Sequence, residues 1–146
     1  MRQSGECRVL VVEDQAAMRR LISLWLRRNG FIALEAVDAT QALTYLRRHP
    51  GLIDLAIIDV VGTHGLDLAA EMGRDYGSTA ILYISGYIDS LAVQAIGWRS
   101  PECLLLKPFH ERTLIDRVHR LLKKQAPHTN LERGSRAAGD ASGRCV

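Results

Sequence analysis

Residues 8–14 read Arg-Val-Leu-Val-Val-Glu-Asp, a short β-branched run that stops abruptly at two carboxylates. The same form recurs downstream. Leu55-Ala56-Ile57-Ile58 stops at Asp59, Ala80-Ile81-Leu82-Tyr83-Ile84 at Ser85-Gly86, and Cys103-Leu104-Leu105-Leu106 at Lys107-Pro108. Strands without polar alternation are buried on both faces, which requires a parallel sheet covered by helices on each side. Phe31–Ala36 reads as one more strand, placed second in the chain.

Helical patterns fill the intervals. Met18, Leu21, Ile22 and Trp25 fall on an i, i+3, i+4, i+7 stripe closed by Asn29-Gly30. Asp38 is placed to N-cap a second helix through Ala42, Leu43 and Leu46, ending before Pro50. A third runs Leu66–Tyr76, a weaker fourth Ile88–Ile96, and a last Glu111–Lys124, with Leu114, Ile115, Val118, Leu121 and Leu122 facing inward. Alternating strands and helices with right-handed crossovers give a doubly wound α/β fold. The expected architecture is flavodoxin-like: a five-stranded parallel sheet in the order 2-1-3-4-5 with five helices.

Length and composition set bounds on this reading. The chain has 146 residues, 47% of them hydrophobic, which suits one globular domain. No apolar run approaches the ~18 residues that span a bilayer, and the first apolar stretch, about five residues ending in acids, is too short for a secretory signal. Three cysteines (Cys7, Cys103, Cys145) with no CxxC pair suggest neither a disulfide framework nor a zinc site. Cys7 and Cys103 begin strands that two others separate, so no bridge is expected between them. The net charge of +3 divides unevenly: 12 Lys/Arg against 14 Asp/Glu in residues 1–116, then seven against two in 117–146. A domain over 7–124 and a basic, disordered tail over 125–146 are therefore expected. The tail alone, without aromatic platforms or a recognition motif, does not make a nucleic-acid binder.

The chemistry collects where the strands end. In an open parallel sheet, ligands bind outside the carboxyl ends of the strands. Those ends carry Glu13, Asp14, Asp59, Ser85 and Lys107. Clustered carboxylates repel unless a cation joins them, and hard oxygen ligands without Cys or His favour Mg²⁺. A carboxylate beside a divalent ion and a lysine can attack a phosphoryl group and form an acyl phosphate.

In this combination and order, Glu13-Asp14, Asp59, Ser85-Gly86 and Lys107-Pro108-Phe109 resemble the response-regulator receiver domain. The likeness is to chemotaxis-regulator-like, stand-alone receivers and covers roughly residues 7–124. It implies a two-component or phosphorelay signalling protein of the cytoplasm, not an enzyme beyond catalysing its own phosphorylation and dephosphorylation. Asp59 matches the phosphoacceptor. Glu13, Asp14, Asp59 and the backbone carbonyl of Val61 match the Mg²⁺ ligands. Ser85 matches the hydroxyl that binds the phosphoryl group, and Lys107 the lysine that pairs with it. The Lys107–Pro108 bond matches the family's cis peptide. The implied partners are a histidine kinase or phosphotransfer protein, a downstream protein reached by direct contact, and a second copy through the fourth and fifth helices.

Two departures from the family pattern stand out. Asp59-Val60-Val61-Gly62-Thr63-His64-Gly65 is about two residues short and lacks the usual Met-Pro. The position that often holds a switching aromatic, three before the lysine, is Leu104. Tyr83 or Tyr87 are candidate substitutes, and His64 is a candidate for facing the phosphoryl group. The departures raise an alternative: a degenerate receiver that binds proteins independently of phosphorylation. A haloacid-dehalogenase-type phosphatase is disfavoured because Val61 stands where its general acid belongs. Trp25 is expected in the core, and Leu24 and Leu26 beside it mark a candidate partner surface.

Overall fold

The computed structural model describes residues 6–61, 64–86 and 91–125. The apolar runs form β1 (Arg8–Val12), β2 (Ile32–Ala36), β3 (Leu55–Asp59), β4 (Ala80–Ser85) and β5 (Leu104–Leu106). All pairings are parallel, in the order β2-β1-β3-β4-β5. Every residue of β3 and β4 is buried, as a strand covered on both faces must be. The covering helices are α1 (Ala16–Arg28), α2 (Ala39–Arg48), α3 (Gly65–Asp75), α4 (Leu91–Arg99) and α5 (Glu111–Gln125). The expected doubly wound α/β fold and strand order are those observed.

Local signals act as their chemistry requires. Asp38 caps α2 by accepting the Gln41 N–H at 3.0 Å. Gly30, just beyond α1, has φ of 92°, a conformation that costs glycine little. Leu114, Val118 and Leu121 of α5 are buried, Ile115 nearly so, and Leu122 packs half-buried at the margin.

Three expectations need correction. The inward face of α1 is Ile22, Ser23 and Leu26, while Leu21 is 39% exposed. The helix is rotated so that Ile22 and Leu26 meet the sheet, with the small Ser23 beside them. Leu26 therefore belongs to the core, and of the two leucines flanking Trp25 it is Leu24, 54% exposed, that remains on the open face. Second, Cys103 belongs to a 3₁₀ turn over Pro101–Cys103, not to β5. The fixed φ of Pro101 suits the start of such a turn, and the strand begins one residue later. Third, α4 runs to Arg99 rather than stopping at Ile96.

Trp25 is half-buried, with its ring edge-on to Phe109 at 6.3 Å between centroids. Among the described residues, no helix is long and apolar enough to cross a membrane. Tyr87, the expected start of the fourth helix at Ile88, Cys145 and the tail over 126–146 lie outside the described residues.

Candidate functional site

Parallel pairing puts the carboxyl ends of β1, β3, β4 and β5 on one rim of the sheet. The first residues beyond the strands stay in step with their neighbours. Glu13 N–H donates to Ala36 O at 3.0 Å, Val60 N–H to Ile84 O at 3.0 Å, and Lys107 N–H to Ser85 O at 2.8 Å. These bonds fix where each functional side chain leaves the main chain.

The carboxylates of Glu13, Asp14 and Asp59 converge there, with one oxygen from each lying within 4.8 Å of the others. Glu13 is fully buried and Asp59 is 5% exposed, whereas Asp14 faces solvent. Lys107 enters from beyond β5 and bridges the buried pair. Its Nζ donates to Glu13 Oε1 at 2.8 Å and to Asp59 Oδ2 at 3.1 Å. Asp59 Oδ1 accepts the Val61 N–H at 3.1 Å, and Glu13 Oε2 accepts the Gln15 N–H at 3.2 Å. Ser85 closes β4 and is fully buried, one residue beyond the Ile84 that pairs with Asp59.

The electrostatics follow from this crowding. Burial raises the Glu13 carboxyl to about 7, with Asp59 adding to the rise and the bonds from Lys107 and Gln15 opposing it. Burial alone would lower the Lys107 ammonium, but its bonds to Glu13 and Asp59 outweigh this and hold it above its ordinary value. One ammonium against three carboxylates leaves the pocket short of positive charge. Its donors are hard oxygens without sulfur or imidazole, the set that suits Mg²⁺.

The remaining candidates sit around this pocket. Lys107–Pro108 is cis, as the resemblance implies. Leu104 occupies β5, where a Cβ on Gly97 would come within 3.3 Å of its Cδ2, so α4 lies close over it. Tyr83, its register partner on β4, is 2% exposed, and burial pushes its hydroxyl up to about 12. His64 is exposed at the N-cap of α3 in the left-handed region (φ 58°) and makes no side-chain capping bond. Val61 is 41% exposed at the mouth of the pocket.

Sequence reasoning missed two arginines that act on the framework of the site. Arg19 Nη1 donates to the main-chain carbonyl of Glu13 at 2.9 Å. Arg117 Nη1 donates to the carbonyls of Glu102 at 3.0 Å and Leu104 at 2.8 Å, holding the entry to β5. Both read in sequence as ordinary exposed cations of amphipathic helices.

Comparison with known proteins agrees with this arrangement. Residues 9–119 match the family model of the response regulator receiver domain, and the chain belongs to that family. It is 31% identical over 121 residues to the DNA-binding response regulator MtrA of Mycobacterium tuberculosis, covering 80% of this chain and 51% of that one. Against the response regulator GtcR of Aneurinibacillus migulanus it is 28% identical over 118 residues, covering 80% and 48%. The chain thus spans about half the length of the curated relatives it matches. A response regulator structure from Thermotoga maritima superposes with a TM-score of 0.68 at 26% identity, covering 81% of this chain and 98% of that one. A segment of the sensor kinase CckA of Brucella abortus is also similar, at 28% identity over 124 residues, 84% of this chain but 13% of that one. Receiver domains are signalling modules of two-component systems, typically bind Mg²⁺ at an acidic pocket and are generally not enzymes.

Proposed function

We propose that this receiver accepts a phosphoryl group on Asp59 from a phosphohistidine of a histidine kinase or phosphotransfer protein. The observation that carries the reading is the Asp59 carboxylate itself, nearly buried yet gathered with Glu13 and Asp14 and paired with Lys107 at 3.1 Å. Isolated strand-end acids are common. An acid held with two others and one lysine on the same rim has a site's chemistry.

Glu13, Asp14 and Asp59, with the carbonyl of Val61, are the residues that would hold Mg²⁺. When bound, the ion neutralises charge on the phosphoryl oxygens. An Asp59 carboxylate oxygen attacks phosphorus and a P–O bond forms. The P–N bond of the donor breaks, and its electron pair returns to the imidazole nitrogen. Lys107 then follows the negative charge from the carboxylate to the phosphoryl oxygens, and the Ser85 hydroxyl donates to one of them. Contacts that exist only in the phosphorylated state shift the population towards a second conformation, read by a downstream protein. Residues 7–124 are the unit proposed to do this, in the cytoplasm.

The complete set of Glu13, Asp14, Asp59, Ser85 and Lys107 favours this reading over a degenerate, phosphorylation-independent module.

Intact mass spectrometry tests the proposal, after incubating the full chain with Mg²⁺ and a small phosphodonor such as acetyl phosphate. One added phosphoryl group is expected, lost in Asp59→Asn and in EDTA. An unmodified wild type, with no response to beryllofluoride either, would favour the degenerate module.

A further inference from the structure

The turn that presents Glu13 and Asp14 lacks the support a helix start usually has. Gln15 is the N-cap of α1 and makes no side-chain capping bond, and no acid stands in the first turn. The turn is held from two other directions. Glu13 turns its own carboxylate back to the Gln15 N–H. From the opposite side, Arg19 reaches back along the helix to donate to the Glu13 carbonyl at 2.9 Å.

Arg19 is not a loose surface cation. Its side chain is 14% exposed, and its Nε lies 3.3 Å from Glu35 Oε1 on β2. The other Glu35 oxygen is 3.4 Å from Arg27 Nη2, which also donates to Ala33 O at 3.2 Å. Glu35 is in turn fixed in register opposite Val11 of β1. A guanidinium held at Nε by a carboxylate has its Nη groups aimed, because the fork is planar and rigid. The chain from β2 through Glu35 and Arg19 therefore ends on the main chain of a residue whose side chain lines the acidic pocket.

We infer that Arg19, oriented by Glu35, is a positioning residue for this pocket: by gripping the Glu13 carbonyl it sets the direction in which Glu13 and Asp14 present their carboxylates to a divalent cation. The inference rests on the reading of the pocket as a Mg²⁺ site. Groups that orient metal ligands without touching the metal commonly change affinity by about 10–100-fold when removed. The Arg19 grip is of that kind, acting through the backbone.

The test is calorimetric titration of the full chain with Mg²⁺, comparing wild type, Arg19→Gln, Arg19→Lys and Glu35→Gln. Metal-free melting and amide-proton exchange at Gln15 are measured alongside. Arg19→Gln is expected to weaken Mg²⁺ binding by about tenfold and to speed exchange of the Gln15 amide. Arg19→Lys, which keeps a cation able to reach the carbonyl, should recover part of the loss, and Glu35→Gln should fall between. A purely structural strut would lower the metal-free melting temperature while the folded protein kept wild-type Mg²⁺ affinity, and that result overturns the inference. A wild type that takes up no Mg²⁺ would instead sink the pocket's reading, and the role of Arg19 with it.

Discussion

The ammonium of Lys107 lies closer to Glu13 than to Asp59, 2.8 Å from Oε1 against 3.1 Å from Oδ2. The lysine is thus shared between a wholly buried carboxylate of the acidic cluster and the candidate phosphoacceptor. It offsets part of the repulsion between them, and a cation or a phosphoryl group would redistribute that pairing.

The buried Glu13 makes the metal-free protein sensitive to pH. Its carboxyl is held at about 7 in the fold against 4.5 for the ordinary group, so the folded state binds more protons between those values. Stability therefore falls as pH rises from 4.5 towards 7, by up to about 3 kcal/mol from this group. Urea midpoints in EDTA should be lower at pH 7.5 than at pH 5, and Glu13→Gln should flatten the difference. Equal slopes in the two proteins would remove Glu13 as the cause. Mg²⁺ binding should release protons in this window and tighten as pH rises through it.

Arg117 holds the 3₁₀ turn and β5 to α5. Two good bonds from one charged group to carbonyls of Glu102 and Leu104 leave those acceptors unmatched when the group is removed. Burial lowers the Arg117 guanidinium from its ordinary value, consistent with its partly enclosed place. Arg117→Ala should cost about 2 kcal/mol by chemical denaturation, with faster hydrogen exchange concentrated in Cys103–Leu106. A loss below a few tenths, or one spread evenly over the sheet, would mean that packing alone holds this edge.

Ser23 points the other way. Among the described residues its Oγ is buried without a hydrogen-bond partner, on the face of α1 that meets the core. Ser23→Ala removes that unmatched hydroxyl and adds helix propensity, so it should stabilise by about 1 kcal/mol. A drop in thermal midpoint would show that the hydroxyl is paired in solution.

The strand ends were legible because a strand buried on both faces can carry polar residues only where it stops. Glu13, Asp59, Ser85 and Lys107 stood out for that reason, and the strand order placed them together. The rotation of α1 was less legible: Leu21 and Ile22 compete for the inward face, and only packing against the sheet selects Ile22 and Leu26. Cys103 looked like part of an apolar strand because the preceding Pro101 gives a turn that hydrophobicity does not register. Arg19 and Arg117 left no local signal. Their partners are backbone carbonyls six or more residues away, and long cationic side chains on helices are ordinarily solvated.

The most direct test of the claim that Asp59 is the phosphoacceptor is to trap the modified carboxylate chemically. After phosphorylation in Mg²⁺, reduction with borohydride converts an aspartyl phosphate to homoserine, which tandem mass spectrometry can locate in the peptide spanning β3. Homoserine at residue 59, absent without donor or metal, is the predicted result. An unaltered Asp59 in protein that carries the phosphoryl mass would place the group elsewhere and contradict the assignment.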